Sequence, residues 1–302
     1  MYFFEQVLNE VCSENGITLE KYCDGYCYKL SKNNKFTFIY DNVFENNGAS
    51  IYKILKDKSA LYELLTSSGV PCVEHFYISK QESKTSKKLI SFLNKYKKLV
   101  VKHNEGMSGN NVYLVSDEKS LNEISAKIVD LFGAVSISPY YQIKHEYRVV
   151  VLNNNVELVF DKIRPFVIGN GIDSLSTLIK QKYPTLRKID KNLNLETVPE
   201  NNQQVLLSWR HNLNFGSVPE VIYDKNIISN LSKIAVSAAK ALNINYACID
   251  IIETDKNEFK VLEINGSVTM EKFASFSAEN HNKAKDIIKK AILSNLANTD
   301  KK

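Results

Sequence analysis

The chain reads YACIDII at residues 246–252 and KVLEIN at residues 260–265, and these two stretches decide the fold. Both are short apolar runs rich in β-branched residues, and the segment 253–258 between them is polar and turn-like. Together they predict an antiparallel hairpin. Because Glu263 and Asn265 alternate with apolar residues, they share one face of a strand.

Polar side chains interrupt this hairpin at Asp250, Glu263 and Asn265. Two carboxylates and an amide oxygen are hard ligands, and they suit a Mg²⁺ ion that keeps water and nucleotide phosphates in its other positions. A hairpin whose outer face is merely polar would show the same residues. The two interpretations are evenly balanced on the hairpin alone, so the rest of the chain has to decide between them.

Size and composition indicate an ordinary globular chain with two or three subdomains. It has 302 residues, of which 44% are hydrophobic and 24% charged. No apolar run reaches the length of about 18–20 residues that spans a bilayer, and the first residues do not resemble a signal peptide. The five cysteines are scattered without metal-ligand spacing, which favours reduced thiols and a cytoplasmic location.

The net charge of +5 is modest and suits anionic substrates. There is no basic block with interleaved aromatic residues, so we expect no nucleic-acid partner, and we expect no membrane partner either. The sequence leaves a homo-oligomer open.

Lysines and glycines upstream offer contacts for phosphates. A helix predicted over 50–67 contains Lys58, although a helical lysine is usually a solvated surface charge. The strand 99–102 ends in Lys102, and the glycine-containing loop 103–111 leads into the strand 112–115. Such a loop can close over phosphates as a flap, but most loops of this kind are only turns.

Three arginines lie in or beside later strands and loops. Arg148 begins the apolar core of the first strand of a predicted hairpin, 146–152 with 156–160, and Arg164 follows the second strand. Arg210 opens a polar loop that continues through Asn212. Any one of them alone is more often a surface ion pair.

These pieces together resemble an ATP-grasp ligase over nearly the whole chain. Asp57-Lys58 resembles the nucleotide-contacting helix entry of that superfamily, and Lys102 with the glycine loop resembles its strand lysine and flap. The metal triad matches in residue type, order and spacing. The closest resemblance within the superfamily is to glutathione synthetase and the ATP-grasp part of cyanophycin synthetase. It is carried by YRVVV at 147–151, IRP at 163–165, GNG at 169–171 and RHNLNFG at 210–216.

The chain departs from the family pattern near the acceptor and adenine pockets. The usual Asn-x-x-Pro-Gly ending is replaced at 265–269, the adenine hinge reads SPYY at 138–141, and Phe215 stands where the substrate loop has a glycine. These differences concern the identity of the substrate more than the type of reaction.

The resemblance implies an α/β fold of α+β subdomains, with the nucleotide held between two of them. The predicted divisions are a small N-terminal lobe over 1–50, an ATP-grasp N-terminal subdomain over 51–137 and a C-terminal subdomain over 138–302. The implied cofactors are ATP and Mg²⁺, with the metal on Asp250, Glu263 and Asn265. The implied nucleotide-binding residues are Lys58, Lys102, Gly106, Met107, Ser108, Gly109, Ser138, Pro139, Tyr140 and Asn212.

The implied reaction is ATP-dependent joining of a carboxylate to an amine through an acyl phosphate, releasing ADP and phosphate. Arg164 and Arg210 would bind the transferred phosphoryl group and the acyl-phosphate oxyanion, with Arg148 in support. The partners would be small-molecule or peptide acids and amines. One alternative is a non-catalytic or regulatory protein that binds Mg-ATP without ligating anything. Another is an ATP-grasp enzyme with a different outcome, such as a thioester-forming ligase or a kinase. His103 and His211 could touch substrate, but hydrogen-bonded structural histidines are the more common finding.

Overall fold

The structure is a computed structural model, and it describes residues 2–82, 87–106, 111–184, 186, 189–190 and 192–297. Its helices in chain order are α1 Phe3–Asn15, α2 Ala49–Lys56, α3 Lys58–Ser67, α4 Lys87–Tyr96, α5 Glu118–Phe132, α6 Leu175–Lys182, α7 Lys225–Ala241, α8 Glu271–Ala274 and α9 Ala278–Ala297. Its strands are β1 Thr18–Tyr22, β2 Cys27–Lys32, β3 Lys35–Tyr40, β4 Val43–Phe44, β5 Phe76–Ser79, β6 Leu99–His103, β7 Val112–Val115, β8 Ala134–Pro139, β9 Ile143–Leu152, β10 Asn155–Ile163, β11 Phe166–Ile168, β12 Gln204–Leu206, β13 Val218–Val221, β14 Tyr246–Thr254 and β15 Phe259–Asn265.

The central element is a five-stranded antiparallel sheet in the order β13-β10-β9-β14-β15. The predicted hairpin is confirmed as β14 and β15, in which Asp250 lies opposite Glu263. Strand β14 also pairs with β9, so Asp250 faces Arg148 on its other side. This second pairing joins the hairpin to the arginine-bearing strand.

Alternate side chains of the central sheet point to its two faces. One face carries Val149, Val151 and Ile249, and it packs against α7 in a fully apolar core. On the opposite face of β9, the apolar residues Val150 and Leu152 pack with α1 and α9. Toward the other end of β9 that same face carries charged side chains. The site therefore begins where the apolar cover of this face ends.

A second antiparallel sheet, in the order β5-β8-β6-β7, packs its inner face against α4 and α5. It places the end of β6, with Lys102, beside the central sheet. A third sheet, β1-β2-β3-β4, lies in the N-terminal part of the chain. It packs against α1 and against the C-terminal helix α9. The pair β11-β12 forms a fourth, smaller unit with α6, and its core is completed by Tyr183, Leu186, Ile189, Leu193 and Leu195.

The sequence expectations for the elements were largely confirmed, with one clear exception. The single helix predicted over 50–67 is two helices, α2 and α3, that meet at Asp57. The Asp57 carboxylate accepts hydrogen bonds from the backbone N–H groups of Ser59 and Ala60, at 3.0 and 2.9 Å. An aspartate in this arrangement is an N-cap, which starts a new helix and competes with continuation of the previous one. The break places Lys58 in the first turn of α3.

Candidate nucleotide and substrate site

A cavity of about 340 Å³ lies between the four-stranded sheet and the central sheet. One wall comes from β6, β8 and the start of α3, and the other comes from β9, β10, β14 and β15. The loop 209–214 closes one side. Predicted site residues that line the cavity are Lys58, Lys102, Gly106, Ser138, Pro139, Tyr140, Arg148, Arg210, Asn212, Glu263 and Asn265.

The wall formed by β6 and α3 carries two lysines that have no carboxylate partner within the described residues. Lys58 is buried, and its ammonium donates to the backbone carbonyls of Asn104 and Gly106, at 2.9 and 2.7 Å. Burial lowers the pKa of Lys58, and burial together with the charge of Lys58 lowers the pKa of Lys102 to about 8. A depressed lysine pKa indicates a cation that lacks a counter-ion and would gain from an anionic ligand.

The opposite wall carries cations that are already paired. The Arg148 guanidinium binds both carboxylate oxygens of Asp250 at 2.8 Å. Lys162 lies 3.0 Å from the same carboxylate and also forms an ion pair with Glu146. Although burial opposes ionisation, the two cations hold the pKa of Asp250 below its usual range. Burial raises the pKa of Glu146 to about 7.

Glu263 and Asn265 are the cavity-facing candidates for a metal. Both are half-buried, and the Asn265 amide nitrogen donates to a Glu263 oxygen at 3.2 Å, so the two side chains are adjacent. Glu263 has no ion pair among the described residues. One carboxylate, one amide oxygen and open space fit Mg²⁺, which is typically held by one or two carboxylates and by substrate phosphates. No group of three or more His, Cys, Asp or Glu side chains in the described ranges could hold a metal.

Asp250 has a more definite role than the sequence suggested. It is fully buried and does not line the cavity, and both of its oxygens accept hydrogen bonds from Arg148 or Lys162. Its part as a metal ligand stays a prediction. What the structure adds is that Asp250 neutralises two buried cations behind the cavity surface.

The loop that begins at Arg210 turns back under the cavity. Asn212 caps a short helical turn by accepting from the Asn214 N–H at 2.8 Å, and Gly216 closes the turn with a φ of 90°. A Cβ atom at Gly216 would lie 2.5 Å from Leu186, so this position requires glycine. The Arg210 guanidinium lies 5.1 Å from the rings of both Trp209 and Phe215. The loop therefore holds Arg210 against aromatic faces beside the cavity.

The end of β8 supplies the apolar part of the site. Ser138 and Pro139 are buried, and Tyr140 stands 6.1 Å from the Trp209 ring in an edge-to-face arrangement. Val73 and Leu262 line the same space. A planar heterocycle such as a nucleobase fits an apolar slot of this kind, with the backbone of the strand end available for polar contacts.

Like Asp250, Arg164 is a predicted site residue that the structure does not bring into the cavity. Arg164 is half-buried and is absent from the cavity lining, although its charge contributes to lowering the pKa of the nearby His211. Its catalytic role stays a prediction. The flap residues Met107, Ser108 and Gly109 lie outside the described residues.

Sequence reasoning missed Glu146 and Lys162, both of which are buried and line the cavity. A signal was available, because each is a charged residue within or next to an apolar strand run. Trp209 was also missed as a lining residue. Its signal was its place directly before Arg210, where an aromatic ring can stack on a guanidinium.

Comparison with known proteins finds similarity to ATP-grasp proteins. Residues 201–291 match the family described as a RimK-like ATP-grasp domain. The fold resembles a bifunctional glutathione synthetase from Pasteurella multocida, with a TM-score of 0.59, 17% identity and coverage of 94% of this chain and 44% of that one. It also resembles D-alanine–D-alanine ligase from Bacillus anthracis, with a TM-score of 0.55, 19% identity and coverage of 82% and 69%. Residues 201–291 are thus similar to an ATP-grasp domain, and the fold of the chain resembles that of these ligases. The predicted α/β fold is thereby confirmed.

A curated relative is the glutathione biosynthesis bifunctional protein GshAB of Listeria monocytogenes. It is 27% identical over 149 residues, which cover 41% of this chain and 19% of that protein. The chain thus spans about a fifth of the length of this relative. Within the described ranges, none of its helices combines the length and the apolar character needed to cross a membrane.

Proposed function

We propose that this ATP-grasp chain is an ATP-dependent carboxylate–amine ligase that forms an amide bond through an acyl phosphate and releases ADP and phosphate. One observation carries the proposal. A single cavity brings together Lys58 from α3 and Lys102 from β6, which have no carboxylate partner among the described residues, with an adjacent Glu263–Asn265 pair from β15 and Arg210 from the closing loop. Cations that surround hard oxygen ligands are what phosphoryl transfer needs, because charge neutralisation and alignment supply most of its catalysis.

The nucleotide would lie between a subdomain over 51–137 and another over 138–302, with 1–50 as a small N-terminal lobe. Lys58 and Lys102 would bind phosphate oxygens. The apolar end of β8, from Ser138 to Tyr140, would hold the adenine. This placement is supported by the depressed pKa values of the two lysines, whose charged forms are favoured when anionic phosphates bind.

Glu263 and Asn265 would hold Mg²⁺, with Asp250 as a further candidate. Bound there, the ion would neutralise charge on the phosphate oxygens. Arg210 would bind the oxygens of the transferred phosphoryl group and of the acyl phosphate. Arg148 would support that charge from the sheet below, held in place by Asp250. Arg164 remains a candidate for the same role from outside the cavity.

The relatives support the type of bond. Glutathione biosynthesis and D-alanine–D-alanine ligation, the activities after which those proteins are named, both produce amide bonds between a carboxylate and an amine. By this analogy the substrates here are small-molecule or peptide acids and amines.

Hydroxylamine trapping tests the proposal. The protein is incubated with Mg-ATP, hydroxylamine and pools of amino acids, dipeptides and small acids, and hydroxamate is measured. Losing a ligand of the metal removes several kcal/mol of transition-state stabilisation, so Glu263→Ala should lower hydroxamate formation by on the order of 10³-fold. Glu258→Ala, an exposed change in the turn before β15, is the matched control and should not lower it.

The opposite outcome has a definite meaning. Mg-ATP binding by the wild-type protein without hydroxamate from any pool would favour the regulatory nucleotide-binding alternative. Equal loss of activity in both variants would contradict the role given to Glu263.

A further inference from the structure

His211 is a cavity residue to which neither the resemblance nor the roles proposed above assign any chemistry. It lies between Arg210 and Asn212, its side chain is only 6% exposed, and it lines the cavity. Its Nδ1 atom lies 2.9 Å from the backbone carbonyl of Lys162, while its Nε2 atom is buried and has no partner among the described residues.

The carbonyl partner fixes the tautomer of this ring. A carbonyl oxygen can only accept, so Nδ1 must carry the proton and donate. Burial lowers the pKa of His211 to about 4, so the ring is neutral near neutral pH. Nε2 therefore presents a lone pair and no proton. A buried acceptor without a partner is costly, and a ligand in the adjoining cavity can satisfy it.

The chemistry of that ligand follows from the lone pair. Nε2 cannot bind a phosphate or carboxylate oxygen, because neither offers it a proton. The neighbouring Arg210 has the opposite character, since its Nε–H donor is also buried and has no partner in the part of the chain that the structure describes. A donor and an acceptor on consecutive residues that both line the cavity match the tetrahedral adduct of amide formation, in which one carbon bears an oxyanion and an N–H group.

The other bases around the cavity are already engaged. Glu146 is paired with Lys162, and Asp250 is paired with Arg148. Glu263 is assigned to the metal. His103 lines the cavity but stacks on Phe132 at 4.5 Å, and no hydrogen bond among the described residues fixes its tautomer.

We propose that Nε2 of His211 accepts a hydrogen bond from the N–H of the attacking amine and then takes up its proton. The amine lone pair forms the C–N bond to the acyl carbon, and the bond from that carbon to the phosphate oxygen breaks with its electron pair leaving on phosphate. The proton released from nitrogen passes to Nε2 and from there to the departing phosphate. Because an N-protonated amide is a strong acid, the nitrogen becomes strongly acidic as the phosphate leaves, and a weak base is then sufficient. This step rests on the proposed ligase function.

Two substitutions test the hydrogen bond made by Nδ1 separately from the basicity of Nε2. His211→Asn can keep the donor to the Lys162 carbonyl while removing Nε2, and His211→Gln can place an amide oxygen near Nε2 that accepts a hydrogen bond but does not take up a proton. His281→Asn, at a histidine that stacks on Phe3 away from the cavity, is the matched control. Each protein is assayed with Mg-ATP and the acid found by hydroxamate screening. The nucleophile is either hydroxylamine or a pool of the twenty amino acids, and the amide product is measured by mass spectrometry.

Both His211 variants should form hydroxamate within about twofold of the wild-type rate, because hydroxylamine attacks an acyl phosphate without help. Amide formation should fall by about 10²–10⁴-fold, the usual contribution of a positioned base, and less in His211→Gln than in His211→Asn. The His281→Asn protein should show neither change.

Three results would overturn the proposal. Amide formation near the wild-type rate in His211→Asn would show that Nε2 is not needed. Equal loss of hydroxamate and amide in both variants would show that His211 serves folding or the first step. If wild-type protein makes no hydroxamate from any acid, the ligase function itself fails and this step fails with it. That result is distinct from the other two.

Discussion

The two walls of the cavity hold cations in opposite ways. On the wall built from β6 and α3, Lys58 and Lys102 face the cavity without carboxylate partners in the described part of the chain, and their pKa values are lowered. On the central sheet, Arg148 and Lys162 form ion pairs with carboxylates, and their pKa values are raised despite burial.

This difference indicates which cations bind a ligand and which stabilise the fold. An unpaired cation gains when a phosphate arrives, whereas a cation that shares a buried carboxylate gains little and mainly keeps its neighbour in place. The same contrast holds for the acids of the hairpin. Asp250 is buried and paired with Arg148. Glu263 lies opposite Asp250 on the neighbouring strand and faces the cavity. Ligand binding should therefore depend on one set of residues and folding stability on the other.

The largest expected effect is on stability. Asp250→Asn would leave Arg148 and Lys162 in the sheet with one carboxylate fewer between them. Breaking a buried pair in this way costs about 3–5 kcal/mol in the free energy of unfolding. Glu263→Gln, at the facing position, should change it by less than about 0.5 kcal/mol, because no ion pair of Glu263 is lost. Urea unfolding of the two variants measures both values, and equal destabilisation would remove the distinction between the two acids.

Loss of Lys102 should mainly weaken nucleotide binding. Hydrogen bonds to charged groups contribute about 1.5–3 kcal/mol, so Lys102→Met should weaken Mg-ATP binding by about ten- to a hundred-fold. Lys98→Met, at an exposed residue just before the same strand, is the matched control. Isothermal titration calorimetry gives the affinities. A weak effect at Lys102, or the same effect at both lysines, would contradict the assignment of this wall to phosphates.

A smaller effect concerns pH. The free protein has a Lys102 pKa of about 8, and bound phosphates would raise it. In the free protein the Lys102 side chain is mostly charged at pH 7 and mostly neutral at pH 9. Because phosphates favour the charged form, nucleotide binding should weaken by about tenfold between pH 7 and pH 9. In Lys102→Arg the cation does not titrate in this range, and the dependence should disappear. A pH dependence that persists in Lys102→Arg would assign it to another group.

Much of this arrangement could be predicted from local sequence. The period-two alternation around Glu263 and Asn265 predicted a shared strand face, and the two side chains are adjacent. The interrupted apolar run that ends in Lys102 correctly indicated a strand with a cation at its end. These features depend on neighbours within one strand or hairpin, and local patterns report such relations directly.

What could not be predicted depends on pairing between distant segments. Asp250 meets Arg148 because β14 pairs with β9, residues 102 positions apart in the chain, and nothing in either stretch specifies that register. The break at Asp57 was missed because the apolar pattern continues through it, while the capping bond depends on side-chain geometry. The lone pair of His211 depends on a carbonyl contributed by another strand.

The most direct test of the central claim follows the oxygen of the substrate acid. The acid found by hydroxamate screening is labelled with ¹⁸O in its carboxylate, and the phosphate released during amide formation is analysed by mass spectrometry. If the cavity transfers the γ-phosphoryl group to that carboxylate, one ¹⁸O atom per turnover appears in the phosphate. Unlabelled phosphate, released together with amide product, would show that the bond forms by another route and would contradict the mechanism.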